Sequence, residues 1–305
     1  MKIIEINKHL TGFYFNGDSS PDTLKTAVGA DENWAIGGCN ALGVCCYVIH
    51  DSKSALVCDT LAGTDQAKQV RSYLEGKGIT SFTVAISHWH LDHVGGNEVF
   101  ADSVIISNEK TRAYLAEYKE GIENATLWGE PAIAPLVLPN LTYHETLNFY
   151  VGDLEVQMSN LNIHSDDSSY YYIPQYKFLL TGDMLEDSCP FIVNPADIPT
   201  HVQNLAQMRK LDVDRIYPNH GSCFNIEKKG YGKDFIDAAS EYLSTMHEMV
   251  EKDPKCEEPG LREFIKKYLD KNTLRYWEPY ESVHLGNFRR CKAYITDGWT
   301  AADGL

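Results

Sequence analysis

The sequence has no long apolar run. None of its stretches approaches the ~20 consecutive apolar residues that a membrane-spanning helix needs, and residues 1–5, MKIIE, are typical of the start of a strand rather than of a signal peptide. We therefore expect a cytoplasmic protein that has no membrane partner.

A disulfide framework is missing as well. The eight cysteines stand at positions 39, 45, 46, 58, 189, 223, 256 and 291, and these spacings are unlike those of small disulfide-rich secreted proteins. Reduced thiols are expected, in agreement with a cytoplasmic location.

Basic residues are scarce. The chain has 27 Lys and Arg against 43 Asp and Glu, which gives a formal net charge of −16. Proteins that bind nucleic acid depend on Lys and Arg to neutralise phosphates, so this balance disfavours a nucleic-acid partner. A small-molecule substrate is the expectation that remains.

The composition is that of a folded enzyme. At 305 residues with 43% hydrophobic residues, the chain can bury a sizeable core, and it contains no repeat, linker or low-complexity segment. We predict an α/β domain over residues 1–231. Residues 232–305, which are helical in pattern and rich in aromatics, are predicted to pack on that domain as an extension.

The most informative stretch is Ser87–Gly96, with the sequence SHWHLDHVGG. It follows residues 82–86, FTVAI, which are typical of a buried strand, and its two glycines permit close backbone approach. Its candidate metal ligands are His88, His90, Asp92 and His93. Imidazole and carboxylate together suit zinc, although iron and manganese accept the same ligands. Because four ligands within six residues crowd one ion, they favour two adjacent ions.

Strand-like and helix-like patterns alternate along the rest of the chain. Hairpins are predicted around residues 50–53, 151–153 and 174–175, and helices over 64–76, 108–118 and 200–211. Strands that alternate with helices indicate crossover connections and partly parallel pairing. Residues 121–146 contain three prolines and are predicted to form an irregular inserted loop or lid.

Four further elements accompany the metal-binding stretch, each placed after a strand-like run. They are Asp59, His164, the pair Gly182-Asp183, and His220 before Gly221. Together with His-x-His-x-Asp-His they resemble, in the same order, the signature of the metallo-β-lactamase superfamily. The resemblance spans residues 59–221 and is to the dinuclear branch that includes lactonases and glyoxalase II-like enzymes.

This resemblance implies both a fold and a metal site. The fold would be an αββα sandwich of two mixed β-sheets with helices on the outer faces. Two divalent ions, zinc before iron or manganese, would be bound by seven ligands: His88, His90, Asp92, His93, His164, Asp183 and His220. One ion would take His88, His90 and His164, and the other Asp92, His93 and His220. Asp183 would bridge them.

The resemblance also implies how the site would react. A hydroxide between the ions would attack the substrate, and Asp92 would orient it and later carry its proton. Asp59 would lie behind the ligands and orient their imidazoles, although a loop cap is an equally good interpretation of this residue.

Hydrolysis of a small ester, lactone or thioester is the favoured function. β-Lactam hydrolysis is a second possibility, but it is disfavoured because those enzymes are exported and no export signal is visible. A nuclease is disfavoured by the acidic charge. A non-hydrolytic metal sensor or redox protein is the alternative from another class, and it is weakened because the diiron branch of the superfamily commonly has Glu where His90 stands.

The chain departs from the usual pattern after the third histidine. Many relatives have a Thr-Pro-Gly turn there, whereas residues 165–169 read SDDSS. Asp166 and Asp167 are expected either in a solvent-facing turn or beside the substrate, where they would favour a neutral or cationic molecule. The substrate pocket is expected to draw on residues 16–40, including Trp34, and on residues 121–146, 185–200 and the C-terminal region.

Overall fold

Two β-sheets form the centre of the molecule in the computed structural model, which describes residues 1–15 and 34–299. The first sheet has seven strands in the order β1 to β7, and the second has five in the order β12-β11-β10-β9-β8. The strands are β1 Lys2–Asn7, β2 Leu10–Phe15, β3 Val44–Asp51, β4 Ser54–Cys58, β5 Ser81–Ile86, β6 Val104–Asn108, β7 Leu141–Tyr143, β8 Thr146–Val151, β9 Leu154–Asn160, β10 Ser169–Ile173, β11 Phe178–Leu180 and β12 Arg215–Tyr217.

Both sheets are mixed. Strands β1 to β4 pair antiparallel, and β4, β5, β6 and β7 then pair parallel. In the second sheet β8 to β11 pair antiparallel, and β11 and β12 pair parallel. The carboxyl ends of β4 and β5, and those of β11 and β12, therefore lie side by side.

Burial on both faces of the first sheet explains its apolar strands. Along β3, Cys45, Tyr47 and Ile49 face the second sheet, whereas the alternate residues pack with the helix Thr64–Gly76 on the outer face. Side chains alternate between the faces of a strand, so a strand that is covered on both faces reads as a continuous apolar run.

The helices lie outside the sheets. They are Asn40–Leu42, Thr64–Gly76, Leu91–Val94, Glu109–Glu117, Lys119–Glu123, Ile198–Met208, Cys223–Glu227, Asp234–Lys252, Leu261–Phe264, Lys266–Asp270 and Tyr280–Asp297, with a π-helical turn at Trp34–Cys39 and 3₁₀ turns at Asn97–Phe100 and Pro195–Asp197. The predicted αββα sandwich is confirmed. No helix among the described residues has the length and hydropathy required to cross a bilayer; the cytoplasmic location stays a prediction.

Two segments differ from the sequence-based expectation. Residues 121–146 are not irregular throughout, because Leu141–Tyr143 adds strand β7 to the edge of the first sheet and pairs with β6. Such a three-residue strand is too short to show periodicity in a sequence. Of the long loop predicted over residues 16–40, residues 16–33 lie outside the described part, and Trp34–Cys39 forms a helical turn.

The C-terminal region touches the core at several points. Leu261, Tyr280 and Phe288 are buried in the same apolar cluster as the inner faces of both sheets. Trp277 donates from Nε1 to the carbonyl oxygen of Ala41 at 2.9 Å, and the backbone N–H of Ile192 donates to Asn287 Oδ1 at 3.0 Å. The division of the chain at residue 231 stays a prediction.

Candidate metal centre

Strand ends bring the candidate ligands together. Ser87–His93 follows β5, and Asp59 follows the parallel neighbour β4, with the Asp59 N–H bonded to the Ala85 carbonyl at 2.9 Å. In the second sheet, Gly182-Asp183 follows β11 and His220 follows β12. The two sheets are joined at this edge, because the Ser169 N–H donates to the Ser87 carbonyl at 2.8 Å.

The two glycines of the metal-binding stretch are required by close packing. A Cβ at Gly95 would lie 2.4 Å from the backbone of Ala62, and one at Gly96 would lie 2.3 Å from the Thr60 carbonyl oxygen. These contacts press the loop against the segment that follows β4. The expected close approach is therefore present, and it places the ligands against Asp59 and its neighbours.

Three histidines form what we call the first ligand group: His88, His90 and His164. His90 Nδ1 and His164 Nε2 lie 3.0 Å apart, and His88 packs edge-on against both rings at 4.5 and 4.8 Å between centroids. Together with a carboxylate oxygen of Asp183, the candidate ligand atoms of this group all lie within 4.8 Å of one another.

The second ligand group consists of Asp92, His93 and His220. His220 Nε2 lies 2.9 Å from Asp92 Oδ2, and His93 Nε2 lies 3.5 Å from Asp92 Oδ1. With Asp183, these ligand atoms also lie within 4.8 Å of one another. The other ring nitrogen of His220, Nδ1, is 2.7 Å from the Gly43 carbonyl, which turns Nε2 toward the site.

Asp183 stands between the two groups. A single oxygen, Oδ2, lies 3.0 Å from His93 Nε2 and 3.5 Å from His220 Nε2. The same oxygen lies 3.6 Å from His88 Nε2 and 3.9 Å from His164 Nε2. The carboxylate thus contacts ring nitrogens of both groups, as the bridging position requires.

The donor atoms fit metal ions. Asp183 Oδ1 and His88 Nε2 are buried and have no hydrogen-bond partner in the described part of the chain. Buried polar atoms are almost always paired, so these two point to a ligand at the position they face. A set of imidazole nitrogens and carboxylate oxygens suits zinc and related divalent ions.

The two groups differ in charge. Burial lowers the pKa of every histidine in the first group, to about 4 for His90 and about 3 for His164, and the neutral imidazole that results is the form that binds metal. In the second group burial also acts to lower the pKa of His93 and His220. The carboxylates of Asp183 and Asp92 outweigh it and raise both values, to about 10 for His220.

The pKa of Asp92 is likewise set by burial and by neighbouring charges that act in opposite directions. Burial acts to raise its pKa, but the charges of His93 and His220 outweigh burial and lower the value to about 2. Without metal, the second group therefore holds protons beside ionised carboxylates. Divalent ions compete with protons for such ligands, so metal binding here exchanges protons for cations.

Asp59 lies directly behind the second group. Its Oδ2 is 2.9 Å from His93 Nδ1 and accepts hydrogen bonds from Ser87 Oγ at 2.7 Å and Asn219 Nδ2 at 2.6 Å, while Oδ1 accepts from the Ser87 N–H at 2.7 Å. Ser87 Oγ also lies 3.0 Å from His88 Nδ1. Asp59 thus lies within hydrogen-bond distance of one ligand imidazole and, through Ser87, close to a second, and the role of orienting them stays a prediction.

Asp167, one of the two carboxylates singled out after His164, takes a buried position that the sequence did not reveal. The expectation of a solvent-facing turn is wrong here, because Asp167 is fully buried. Its Oδ2 accepts from the Trp89 N–H and from Thr111 Oγ1, both at 2.9 Å, and Oδ1 accepts from Ser165 Oγ at 2.7 Å. Burial, opposed by these hydrogen bonds, raises the pKa of Asp167 to about 6. The side chain ties the turn after His164 to the backbone between His88 and His90.

Asp166, by contrast, lies at the surface with its charge paired. It accepts from Lys110 Nζ at 2.8 Å and from Tyr114 Oη at 3.0 Å. The charge of Asp166 is therefore paired with that of Lys110 at the surface, whereas Asp167 is buried.

Glu186 is a second residue that the sequence did not reveal. Its Oε1 accepts from the Phe191 N–H at 2.8 Å and lies 3.7 Å from His164 Nδ1, and its Oε2 accepts from Tyr280 Oη at 3.1 Å. Burial, reinforced by the charge of Asp183, raises the pKa of Glu186 to about 8. Nothing in the local sequence signals this contact, because Tyr280 comes from the distant C-terminal region.

The expectation for Trp34 concerns substrate contact. The structure shows the side chain half-buried against Ala35, Cys39 and Ala62, with Nε1 donating to the Pro131 carbonyl at 3.1 Å. Trp34 thus holds the backbone at Pro131 through this hydrogen bond. A direct contact of Trp34 with substrate stays a prediction.

Comparison with known proteins identifies the family. The family model of the Metallo-beta-lactamase superfamily matches residues 40–220. This range is more than half of the chain, and it contains every candidate ligand. The chain belongs to this superfamily. The resemblance expected from the motifs is therefore confirmed, and the ligand groups lie within the matched region.

Curated relatives in the superfamily include hydroxyacylglutathione hydrolases of Brucella ovis and Brucella abortus. Each is 29% identical over 138 residues, which cover 45% of this chain and 46% of the relative. The chain thus spans less than half the length of the curated relatives it matches.

Solved structures of the superfamily share the fold. A metallo-beta-lactamase from Pontibacter korlensis superimposes with a TM-score of 0.57 at 15% identity, covering 80% of this chain and 98% of that protein. DIM-1 metallo-beta-lactamase gives a TM-score of 0.56 at 16% identity, covering 80% of this chain and 97% of that protein. At this level of identity the likeness concerns the fold alone.

Proposed function

We propose that this protein is a hydrolase that uses two divalent ions, zinc in preference to iron or manganese, to cleave small ester, lactone or thioester substrates. The observation that carries the proposal is the position of Asp183, whose Oδ2 lies 3.0–3.9 Å from ring nitrogens of both ligand groups. A shared carboxylate supports two ions side by side, an arrangement common in enzymes that use water as a nucleophile.

Hydrolysis would combine the chemistry of the bound ions with a proton-carrying role for Asp92. Two divalent ions supply Lewis acidity, which lowers the pKa of water and stabilises negative charge on a carbonyl oxygen. Asp92 is the more exposed ligand carboxylate, at 13% against 5% for Asp183. With its pKa near 2 it is ionised at neutral pH, so it can orient the attacking water and later carry its proton.

The expected substrate class follows from the leaving group. A thiolate or an alkoxide departs more readily than an amine and needs less help from a general acid. Asp92 is the one proton carrier that we assign at the reacting centre, which favours esters, lactones and thioesters over amides. The Brucella relatives, which are named hydroxyacylglutathione hydrolases, support an acyl substrate. The net charge of −16 opposes polyanionic substrates.

Metal analysis tests the first part of the proposal. After expression with zinc, mass spectrometry is expected to find about two divalent ions per chain, because two complete ligand groups share Asp183. A metal content near zero would contradict the proposal. A content near one would limit it to a single ion.

A substrate panel tests the second part. We expect the zinc-loaded protein to show a higher kcat/KM for small neutral esters, lactones or thioesters than for β-lactams or phosphodiesters. A clear preference for a β-lactam or a phosphodiester would reject the substrate class. Metal binding without any hydrolysis would favour a sensor instead.

A further inference from the structure

We propose that Trp128 forms an apolar wall of the substrate site and binds an aromatic or aliphatic group carried by the substrate. This inference rests on the proposed hydrolytic function, which it refines by naming the kind of substrate. The wall consists of Trp128 as its exposed ring, with Trp89 and Tyr118 stacked behind it.

The wall adjoins the first ligand group. The Trp128 ring lies edge-on to the imidazole of His90, with 5.6 Å between centroids. Trp128 also packs on Trp89 at 4.7 Å, and Trp89 stacks on Tyr118 at 5.2 Å with an interplanar angle of 27°. Trp89 is buried, whereas Trp128 is 37% exposed. Trp128 is therefore the outermost ring of the stack and presents apolar surface beside a metal ligand.

The backbone holds Trp128 in an unusual conformation. Its φ is +61°, in the left-handed region that bulky residues rarely adopt. The segment is fastened on both sides: the Leu127 N–H donates to the Gly121 carbonyl at 2.9 Å, and the Trp34 N–H donates to the Glu130 carbonyl at 3.1 Å. Strained residues that the surrounding structure holds in place cluster at binding sites.

Among the described residues, the Trp and Phe rings that contact metal ligands lie on one side of the centre. A second ring, Phe191, lies 6.1 Å from the first-group ligand His164. Within residues 1–15 and 34–299, the second ligand group makes ring contacts only with other histidines, between His93 and His220 and between His93 and His88. In the described part of the chain, aromatic rings other than histidine thus lie beside the first group and not beside the second. A substrate with an apolar group on one side of its scissile carbonyl matches this asymmetry.

A purely structural role is the competing interpretation. Trp128 could shield His90 from water without contacting substrate. Its loss would then change metal content, or lower turnover of all substrates by the same factor. A binding role predicts instead a loss that depends on the apolar group and appears in KM.

The experiment compares thioesters of N-acetylcysteamine that carry acetyl, hexanoyl and phenylacetyl groups, and a matching series of acetate esters that varies the alcohol. The wild-type protein is expected to show kcat/KM at least about tenfold higher for the apolar members of one series, the size of one well-placed aromatic contact. Trp128→Ala should remove that preference through a rise in KM for the apolar members that is about tenfold larger than any rise for the acetyl thioester, with metal content measured for both proteins.

Two further variants make the result specific. Trp128→Phe keeps an aromatic ring and should retain most of the preference. Tyr150→Ala removes an exposed aromatic ring on β8, at 60% exposure, and should leave every kinetic constant unchanged. Equal losses on all substrates, or no preference in the wild type, would overturn the apolar wall.

A binding measurement separates this inference from the proposed function. Calorimetry on the zinc-loaded protein should show phenylacetate binding about tenfold more tightly than acetate, and Trp128→Ala should abolish the difference. Absence of hydrolysis with this difference present would reject the proposed function and keep the wall. Equal affinities for the two carboxylates, together with no preference in either substrate series, would reject the wall.

Discussion

The two ligand groups of the metal centre are built in different ways. In the first group burial lowers the pKa of every histidine. The groups behind these ligands are the Phe191 carbonyl, Glu186, the Ser87 hydroxyl and Asp167, which holds the backbone between His88 and His90. In the second group carboxylates raise the pKa of both histidines, and Asp59 lies 2.9 Å from the ring of His93.

The difference shows two ways in which one fold prepares ligands for a cation. The first group keeps its imidazoles neutral by excluding water, so no proton has to leave when a metal binds. The second group balances carboxylates with protons that a metal must displace. Residues behind each group should therefore affect one metal position more than the other, which single substitutions can test.

The largest effect is expected from Asp183, which belongs to both groups. Asp183→Ala removes the shared carboxylate, so one ion should be lost and kcat/KM should fall by about 1000-fold, since metal ions supply several kcal/mol of charge stabilisation. Metal content and kinetics would be measured together, with circular dichroism to show that the fold is retained. Asp214→Ala, an exposed carboxylate, is the control. Full activity with both metals present would refute the ligand assignment.

Asp59→Asn should act on the second group. The amide offers one acceptor oxygen in place of the two that Asp59 uses toward Ser87, His93 and Asn219. Loss of such a partner typically weakens metal affinity by about 10- to 100-fold. Competition with a chelator should show that one equivalent of metal is weakened and the other is kept. Equal weakening of both equivalents would show that the groups are not separable.

Asp167→Asn should act on the first group, and less strongly. Its carboxylate holds the Trp89 N–H between two ligands, so its replacement should loosen their spacing and weaken one metal equivalent by about tenfold. The d–d absorption of a cobalt-substituted protein reports the geometry of the ligands. Asp166→Asn, at the adjacent half-buried residue, is the matched control. If both variants gave the same metal affinity and the same cobalt spectrum, the proposed role of Asp167 in holding the backbone at Trp89 would be wrong.

Tyr280→Phe is expected to have the smallest effect. It removes the hydrogen bond to Glu186 Oε2 and leaves the contact of Oε1 with the Phe191 N–H. The free energy of unfolding should fall by about 1 kcal/mol, the net value of one hydrogen bond, with a change in kcat/KM below about threefold. Urea unfolding measures the first quantity, and Tyr294→Phe in the same helix is the comparison. A loss of metal would show that the C-terminal region supports the first group more strongly.

Much of the centre could be predicted because its ligands follow strands directly. The run at 82–86 predicts a buried strand, and the next residues are then bound to emerge at the end of a sheet. The same reasoning places Asp59 and Asp183 at strand ends. Asp167 escaped it, since turn statistics favour solvent for an Asp-rich turn and do not show that Thr111 and Trp89 lie opposite. Glu186 escaped it too, since its partner Tyr280 is 94 residues away.

The sequence by itself determined which side chains can bind metal and the order in which the strands present them, because both depend on residue type and local periodicity. Only the tertiary structure decided that one oxygen of Asp183 reaches four histidines and that Asp59 lies behind one ligand group and Asp167 behind the other. It also decided that Trp128 stands exposed beside His90. These contacts join segments far apart in the chain, and their distances follow from the packing of two sheets rather than from any local pattern.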